Sequence, residues 1–421
     1  MRYYLLIFYS SILFAQEQDA LKLYYETLDA YQKKHYQLAE MKLYQLDKLV
    51  PNDTEIYYMT AQVHAWQNQK DKALIKLQQS IEMGSDFVLK VATDSAFYSF
   101  REDNEFRKIL NEIEELKKPV SNSAVAFIIN ERDLIPEGTA FDDSTGQLFI
   151  SSAYKRKIKR IYPDGKSDDL VIEKQDGLLG VAGMEVDAKR RVIWVNSCRN
   201  PNMPIAEGEQ EEMLTTVVHQ FDLRTGKLIR QYPGPKGGHF FNDLTVDQVG
   251  NVYITDTQSG EIYWIPKTRD SLEIFLKPRH VFFLNGITKS SDDRYLFVAH
   301  GSGILLIDRE TRAHQALKHS ELIPLGGIDG LAFYDRTLIA HQSGVVGRIK
   351  KFHLSSDMKS VTGVTIIEAN NPHFDQPTTG EIGGDWYYYI ANAQLRSGFK
   401  NGKIKPIDQL KDVVILKTKL K

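Results

Sequence analysis

The sequence predicts an α+β multidomain chain, with an N-terminal α-helical repeat segment followed by an all-β six-bladed β-propeller. Three observations carry this. Residues 16–118 place apolar side chains at helical spacing and hold one Pro and one Gly, Pro51 and Gly84. From Val125 onward, short apolar runs alternate with Gly, Asp and Asn turns. Six similar Gly-containing segments then recur at intervals of 45, 60, 43, 44 and 50 residues, the length of four short strands with their turns.

Composition sets the outer bounds. The chain has 421 residues, 42% apolar and 26% charged, which is ordinary for a globular protein with room for more than one domain. Its 53 basic and 55 acidic residues leave a net charge of -2. No single-sign field therefore draws it to nucleic acid or an anionic membrane. A lone Cys198 excludes an internal disulfide and a multi-cysteine metal site.

Residues 1–15 read as a secretory signal peptide. Arg2 supplies the charge, Leu5 to Leu13 the short apolar run, and Ala15 the small residue at the cut. The expectation is an exported protein, periplasmic or secreted, with no later stretch apolar enough to span a membrane.

Residues 16–118 form the helical domain. Leu21, Tyr24, Tyr25, Leu28 and Tyr31 mark one helix, and Leu38, Met41, Leu43, Leu46 and Leu49 a second. Asp53-Thr54-Glu55 opens a third after Pro51, and Asp71 a fourth. Unit ends at Leu49-Val50-Pro51-Asn52 and Glu82-Met83-Gly84-Ser85 lie about 33 residues apart, a period that resembles tetratricopeptide repeats. Ala61, Ala65, Trp66, Ala73 and Leu77 fall at the packing positions of such a repeat, and Asn68 stands where a turn Gly is usual. Ala92 to Leu110 reads as a capping unit. Packing or scaffolding ranks ahead of a dock for a protein partner here.

Residues 119–124 read as a linker and 125–421 as the propeller. The six repeated segments begin at Glu137, Ala182, Asn242, Asn285, Asp329 and Thr379. The insertion Arg199 to Leu214 lengthens the second unit into a rim loop. Val413 to Leu416 is expected to pair with Val125 to Ile129 and close the ring.

In a propeller the innermost strand starts beside the central channel, so the first position of each segment is a candidate channel residue. Two carboxylates and two amides then converge from four blades: Glu137, Asn242, Asn285 and Asp329. Confined carboxylates are costly unless compensated. A divalent cation matches their charge, and the amide carbonyls complete the ligand set. Oxygen donors without His or Cys favour calcium, then magnesium or manganese. Singly, each residue has an ordinary reading, since Asn-Asp, Asn-Gly and Asp-Gly are common turn pairs. Their shared register is what points to a metal. By contrast, Asp142, Asp187 and Asp247 further along the same segments read as turn formers.

These residues resemble a known family. Glu137-Gly138, Asn242-Asp243, Asn285-Gly286 and Asp329-Gly330 look like the metal-ligand motifs of the senescence-marker-protein, gluconolactonase and luciferin-regenerating-enzyme family. The order Glu, Asn, Asn, Asp is closest to its diisopropyl-fluorophosphatase branch. The resemblance covers residues 124 to 416. It implies a calcium- or zinc-dependent hydrolase of lactones or phosphoesters. It also implies an Arg two residues before the first Asn, in contact with a sugar lactone. Phe240 stands there instead, with His239 before it.

The second strand of each blade returns to the same face, so its end should line the pocket. His300 and His341 are candidates for proton transfer, or else strand-end histidines bonded to a neighbouring loop. Asp256, Asn196, Arg199, Phe240 and Asn392 are candidate substrate contacts. Asp256 has a turn cap, and Arg199 a solvated loop position, as its plainer reading. Cys198 reads as a passive packing residue. In the resulting scheme a calcium ion polarises a lactone carbonyl and Asp329 activates water or attacks directly, or a nearby histidine takes the proton instead. The competing reading is a non-catalytic, metal-stabilised propeller that binds a ligand or protein. A metal-free propeller gives no reason for the shared register.

Overall fold

The computed structural model describes residues 11–421 apart from 50–53, 84–85, 201–202, 206, 210–214, 280, 282, 302, 321–322 and 344–346. The expected signal's first ten residues, the Pro51 break, the Gly84-Ser85 break and most of the tip of the Arg199–Leu214 insertion therefore lie outside the described residues. The chain divides into two compact units, one helical and one of β-structure.

In the helical unit, α1 (Ser11–Gln32), α2 (Tyr36–Leu49), α3 (Thr54–Trp66) and α4 (Lys70–Glu82) precede two short 3-10 segments and α5 (Asn104–Leu116). Helix α1 packs on α2, α2 on α3 and α3 on α4. Lys34 and Asn68, 34 positions apart, occupy the turns of the α1–α2 and α3–α4 pairs, at φ 61° and 58°. Left-handed backbone is where Gly is favoured and Asn tolerated, which explains Asn68 at the expected Gly position. Ala61, Ala65, Ala73 and Leu77 are buried with Phe97 and Phe106 from the segment that follows. Trp66 departs from expectation: it is 39% exposed and stacks on Tyr36 at 5.9 Å. Among the described residues no helix is long and apolar enough to cross a membrane.

Among the described residues the β unit contains six four-stranded sheets. Their inner strands are Pro136–Asp142, Gly180–Asp187, Phe241–Val246, Ile287–Lys289, Ile328–Tyr334 and Gly380–Gly383. Each inner strand touches those of the two neighbouring sheets, and the last touches the first, so the sheets close into a six-bladed propeller. The sixth blade takes its outermost strand, Ala124–Ile129, from the N-terminal end of the unit. It pairs with Val413–Lys419 in the register Val125↔Leu416 and Ile129↔Val413, as the sequence predicts. Such closure leaves only the short outer edges of the separate blades. The linker residues also belong to this unit: Val120 bridges Ala369, and Asn122 N and Ser123 Oγ donate to Glu368 at 3.1 and 2.6 Å.

The aspartates at the far ends of the inner strands are turn formers, as expected, and more. Asp142 accepts from Ser144 and Thr145 within its turn and from Arg191 of the next blade at 2.9 Å. Asp247 accepts from Gly250 and Asn251 and, across blades, from Arg309 at 2.8 Å.

Candidate metal centre at the channel mouth

A backbone irregularity builds the site. In blade one the ladder pairs Pro136 with Ser152, then resumes at Thr139 with Ile150. Glu137 and Gly138 together oppose one residue. The same slip falls at Ala182-Gly183, Asn242-Asp243 and Asp329-Gly330. A bulge takes a residue out of the strict in–out alternation and re-aims its side chain. In blade four Asn285 precedes the strand and is fixed by donating its N–H to Ala299 O at 2.9 Å.

The second residue of each pair explains the glycines. A Cβ on Gly286 would lie 2.6 Å from Asp329 O, and one on Gly330 2.7 Å from Thr378 O, both neighbouring-blade backbone. Gly138 and Gly183 meet the next blade just as closely. Asp243 is the exception in the row. Its carboxylate accepts from Leu244 N at 2.9 Å and from Ile287 N of the next blade at 3.1 Å.

The four predicted ligands sit one residue before these close contacts, at the end of the channel. Asn285 donates its side-chain amide to Asp329. Ser343 Oγ lies 3.1 Å from Asp329 Oδ2 and 2.6 Å from Pro377 O. Asn242 Nδ2 donates to Thr257 Oγ1 at 3.0 Å, which leaves its carbonyl oxygen as the atom available to a cation. Glu137 Oε2 is buried and receives no hydrogen bond. Burial pushes the Glu137 carboxyl up to about 8, and the charges of Asp329 and Asp243 push in the same direction. Burial likewise raises Asp329, against its two hydrogen bonds. Thr379, the sixth member of the stack, is used structurally, its hydroxyl donating to Glu137 O at 2.6 Å.

Below the mouth the channel holds a cavity of about 350 Å³ lined by inner-strand residues, among them Asp243, Glu185, Glu381 and Lys289. Burial raises the Asp243 and Glu185 carboxyls to about 7 and that of Glu381 to about 8. These three charges face one another and Lys289, which ion-pairs Asp293 at 2.9 Å. Sequence reasoning missed this inner collar.

The other candidates divide. Phe240 packs with Ala182 and Cys198 beside the mouth. Cys198 is buried and its thiol is pushed up by burial, as a passive residue should be. His300 ends its strand, and burial lowers its imidazole to about 4. Asn196 is buried at the end of a second strand with neither amide atom hydrogen-bonded. Arg199 donates to the neighbouring Asn200 carbonyl. Three expectations need correction. His341 is a core histidine, fully buried, bonded through Nε2 to Tyr387 Oη at 2.8 Å and held down to about 3 by burial. Asn392 ties blade six together, donating to Asp412 O and accepting from Val414 N at 2.8 and 2.7 Å. Asp256 has no oxygen left for substrate: Oδ1 accepts from Phe240, Gln258 and Ser259 N, and Oδ2 holds His239 Nδ1 at 2.5 Å.

Fold and site together describe a six-bladed propeller with an oxygen-donor cluster at one end of its channel. No family profile matches the chain. No curated protein matches it in sequence. Its structure is similar to a gluconolactonase from Xanthomonas campestris, with a TM-score of 0.48 and 16% identity over 72% of this chain and 91% of that one. A luciferin-regenerating enzyme gives 0.48 and 14%, over 72% and 96% of the two chains. Virginiamycin B lyase from Staphylococcus aureus gives 0.44 and 14%, over 69% and 97%.

Proposed function

We propose that the propeller is a metal-dependent hydrolase of a lactone or related ester, with calcium the cation its donors suit best. The observation that carries this is the mouth cluster. Four blades each carry one of these oxygen-bearing residues at or just before the start of the inner strand, and Glu137 Oε2 is buried without a partner. Among the described residues no group of three or more His, Cys, Asp and Glu is arranged as a metal site, so cation binding here depends on the two Asn carbonyls. Glu137, Asn242, Asn285 and Asp329 would hold the ion. Two negative charges with neutral oxygens fit a hard divalent cation.

A bound cation would supply Lewis-acid polarisation of the substrate carbonyl. The chain's own residues do the rest. Asp329 is fixed by Ser343 and Asn285, and its carboxylate accepts the proton of the attacking water. Phe240 gives the substrate an apolar wall where a guanidinium would select a sugar hydroxyl pattern, which favours an aliphatic or aromatic lactone.

Hydrolysis of a panel of lactones, aryl esters and phosphotriesters, with calcium and with chelator, tests the reading. Chelation should abolish activity. Asp329→Asn should lower kcat by at least ~10²-fold, the usual worth of a positioned base. Full activity in that variant overturns the proposed role. Calcium binding with no hydrolysis leaves the binding-propeller alternative, with the helical unit as a partner dock.

A further inference from the structure

We infer that His239, oriented by Asp256, is a further acid–base group of this site, with Nε2 presented to the substrate's leaving oxygen. The inference rests on the hydrolytic reading above and deepens it.

Asp256 ends the second strand of blade three, opposite Phe241 at the start of the inner strand. It is fully buried, and three backbone N–H groups fix its Oδ1 at 3.0, 3.1 and 3.2 Å. The rigid carboxylate in turn grips His239 Nδ1 at 2.5 Å. A carboxylate on one imidazole nitrogen fixes the tautomer, so the other nitrogen is free for chemistry. His239 is 14% exposed, and no group among the described residues bonds its Nε2. The edge of Tyr263 meets the ring at 6.2 Å and 85°, which limits its rotation.

The pair belongs to the same end of the propeller as the mouth cluster. Phe240, the next residue, packs on Ala182 and Cys198. Both Glu137 and Asp256 act electrostatically on Cys198. The charged groups that face His239 are Asp256 and, more weakly, Glu261, whose own partners are Tyr263 Oη and Lys277 Nζ. The hydrogen bond from His239 Nδ1 to the Asp256 carboxylate therefore favours the imidazolium. A protonated imidazole is what ring opening requires. Water adds to the carbonyl carbon and gives its proton to Asp329. The carbon–oxygen bond to the ring oxygen breaks, and that oxygen takes the proton from His239 Nε2. The proton held by Asp329 then reprotonates His239 through solvent. One water is consumed and one hydroxy acid formed.

The test uses the full chain with calcium and δ-valerolactone. His239→Gln should lower kcat about 10²-fold, leave the calcium isotherm unchanged, and remove the alkaline limb of the pH profile. Asp256→Asn, which keeps an acceptor for the three N–H groups, should move that limb to lower pH. The His239 imidazole, followed by NMR without substrate, should titrate above the ordinary 6.5 in the wild type and fall in Asp256→Asn. An active wild type whose His239→Gln variant loses nothing overturns this role alone. A wild type that binds calcium and opens no lactone overturns the hydrolytic reading and this role with it.

Discussion

Two levels of the same channel hold carboxylates and handle them differently. In the inner collar, Asp243 takes backbone N–H groups from Leu244 and Ile287, Glu381 takes Ile382 N at 2.9 Å, and Lys289 offsets Glu185. At the mouth, Arg396 acts on Asp329 from a distance, while Glu137 Oε2 has no hydrogen bond at all. The collar is compensated in part by backbone N–H groups and Lys289, although burial still raises all three carboxyls. At the mouth, Glu137 is left to a proton or to a bound cation. Acidic residues in a propeller channel therefore do not by themselves mark a site, and the state of their partners does.

The largest expected effect tests that contrast at the mouth. Calcium at a hundred times its Kd should stabilise the propeller by about 2.7 kcal/mol, which for a unit of this size is a Tm rise of ~5–10 °C. Glu137→Gln should abolish the rise. It should also raise the Tm of the calcium-free protein at pH 8, because the group lost is a buried, partnerless carboxylate. The two changes have opposite signs, and thermal melting with and without chelator reads both. A variant that is less stable in both states would mean that Glu137 is structural.

A smaller effect is expected at the collar, with a different pH signature. Burial holds Glu381 at about 8 against 4.5 when unfolded. The folded state therefore binds the extra proton. The stability this confers is complete below pH 4.5 and drains away as pH climbs through 8. Glu381→Gln, which keeps the acceptor for Ile382 N, should match the wild type near pH 5 and exceed it by about 2 kcal/mol near pH 9, a Tm gap of ~4–8 °C. Calcium should leave this gap unchanged. A gap that closes on adding calcium would place the cation in the collar instead of the mouth.

The mouth was legible in the sequence and the collar was not, and one irregularity accounts for both. Each blade repeats a Gly-containing segment, so Glu137, Asn242, Asn285 and Asp329 align in a simple stack. The bulges then shift the register. Glu185 follows the stack position Ala182 by three residues across a bulge. Glu381 follows Thr379 by two, in a strand whose ladder shows no slip. Counting along the sequence sets these two at different levels although they face each other. The His239–Asp256 pair was hidden for another reason: 17 positions separate its members, and His239 sits in irregular backbone before the strand. His341 and Asn392 misled because a polar strand end can serve the core as readily as a pocket.

The smallest effect isolates a neutral ligand. Thr257 Oγ1 accepts from Asn242 Nδ2 at 3.0 Å and donates to Leu284 O at 2.5 Å, so one hydroxyl sets which way the Asn242 amide points. Thr257→Val keeps the shape and removes that hydroxyl. The amide can then present its NH2 to the cation, which it repels. A lost hydrogen bond of about 1 kcal/mol corresponds to a roughly fivefold weaker calcium isotherm, with the collar's pH dependence unaltered. An unchanged affinity would remove Asn242 from the ligand set. The mouth would then rest on Glu137, Asn285 and Asp329, three donors where calcium takes six to eight oxygens, and solvent would have to supply the larger share.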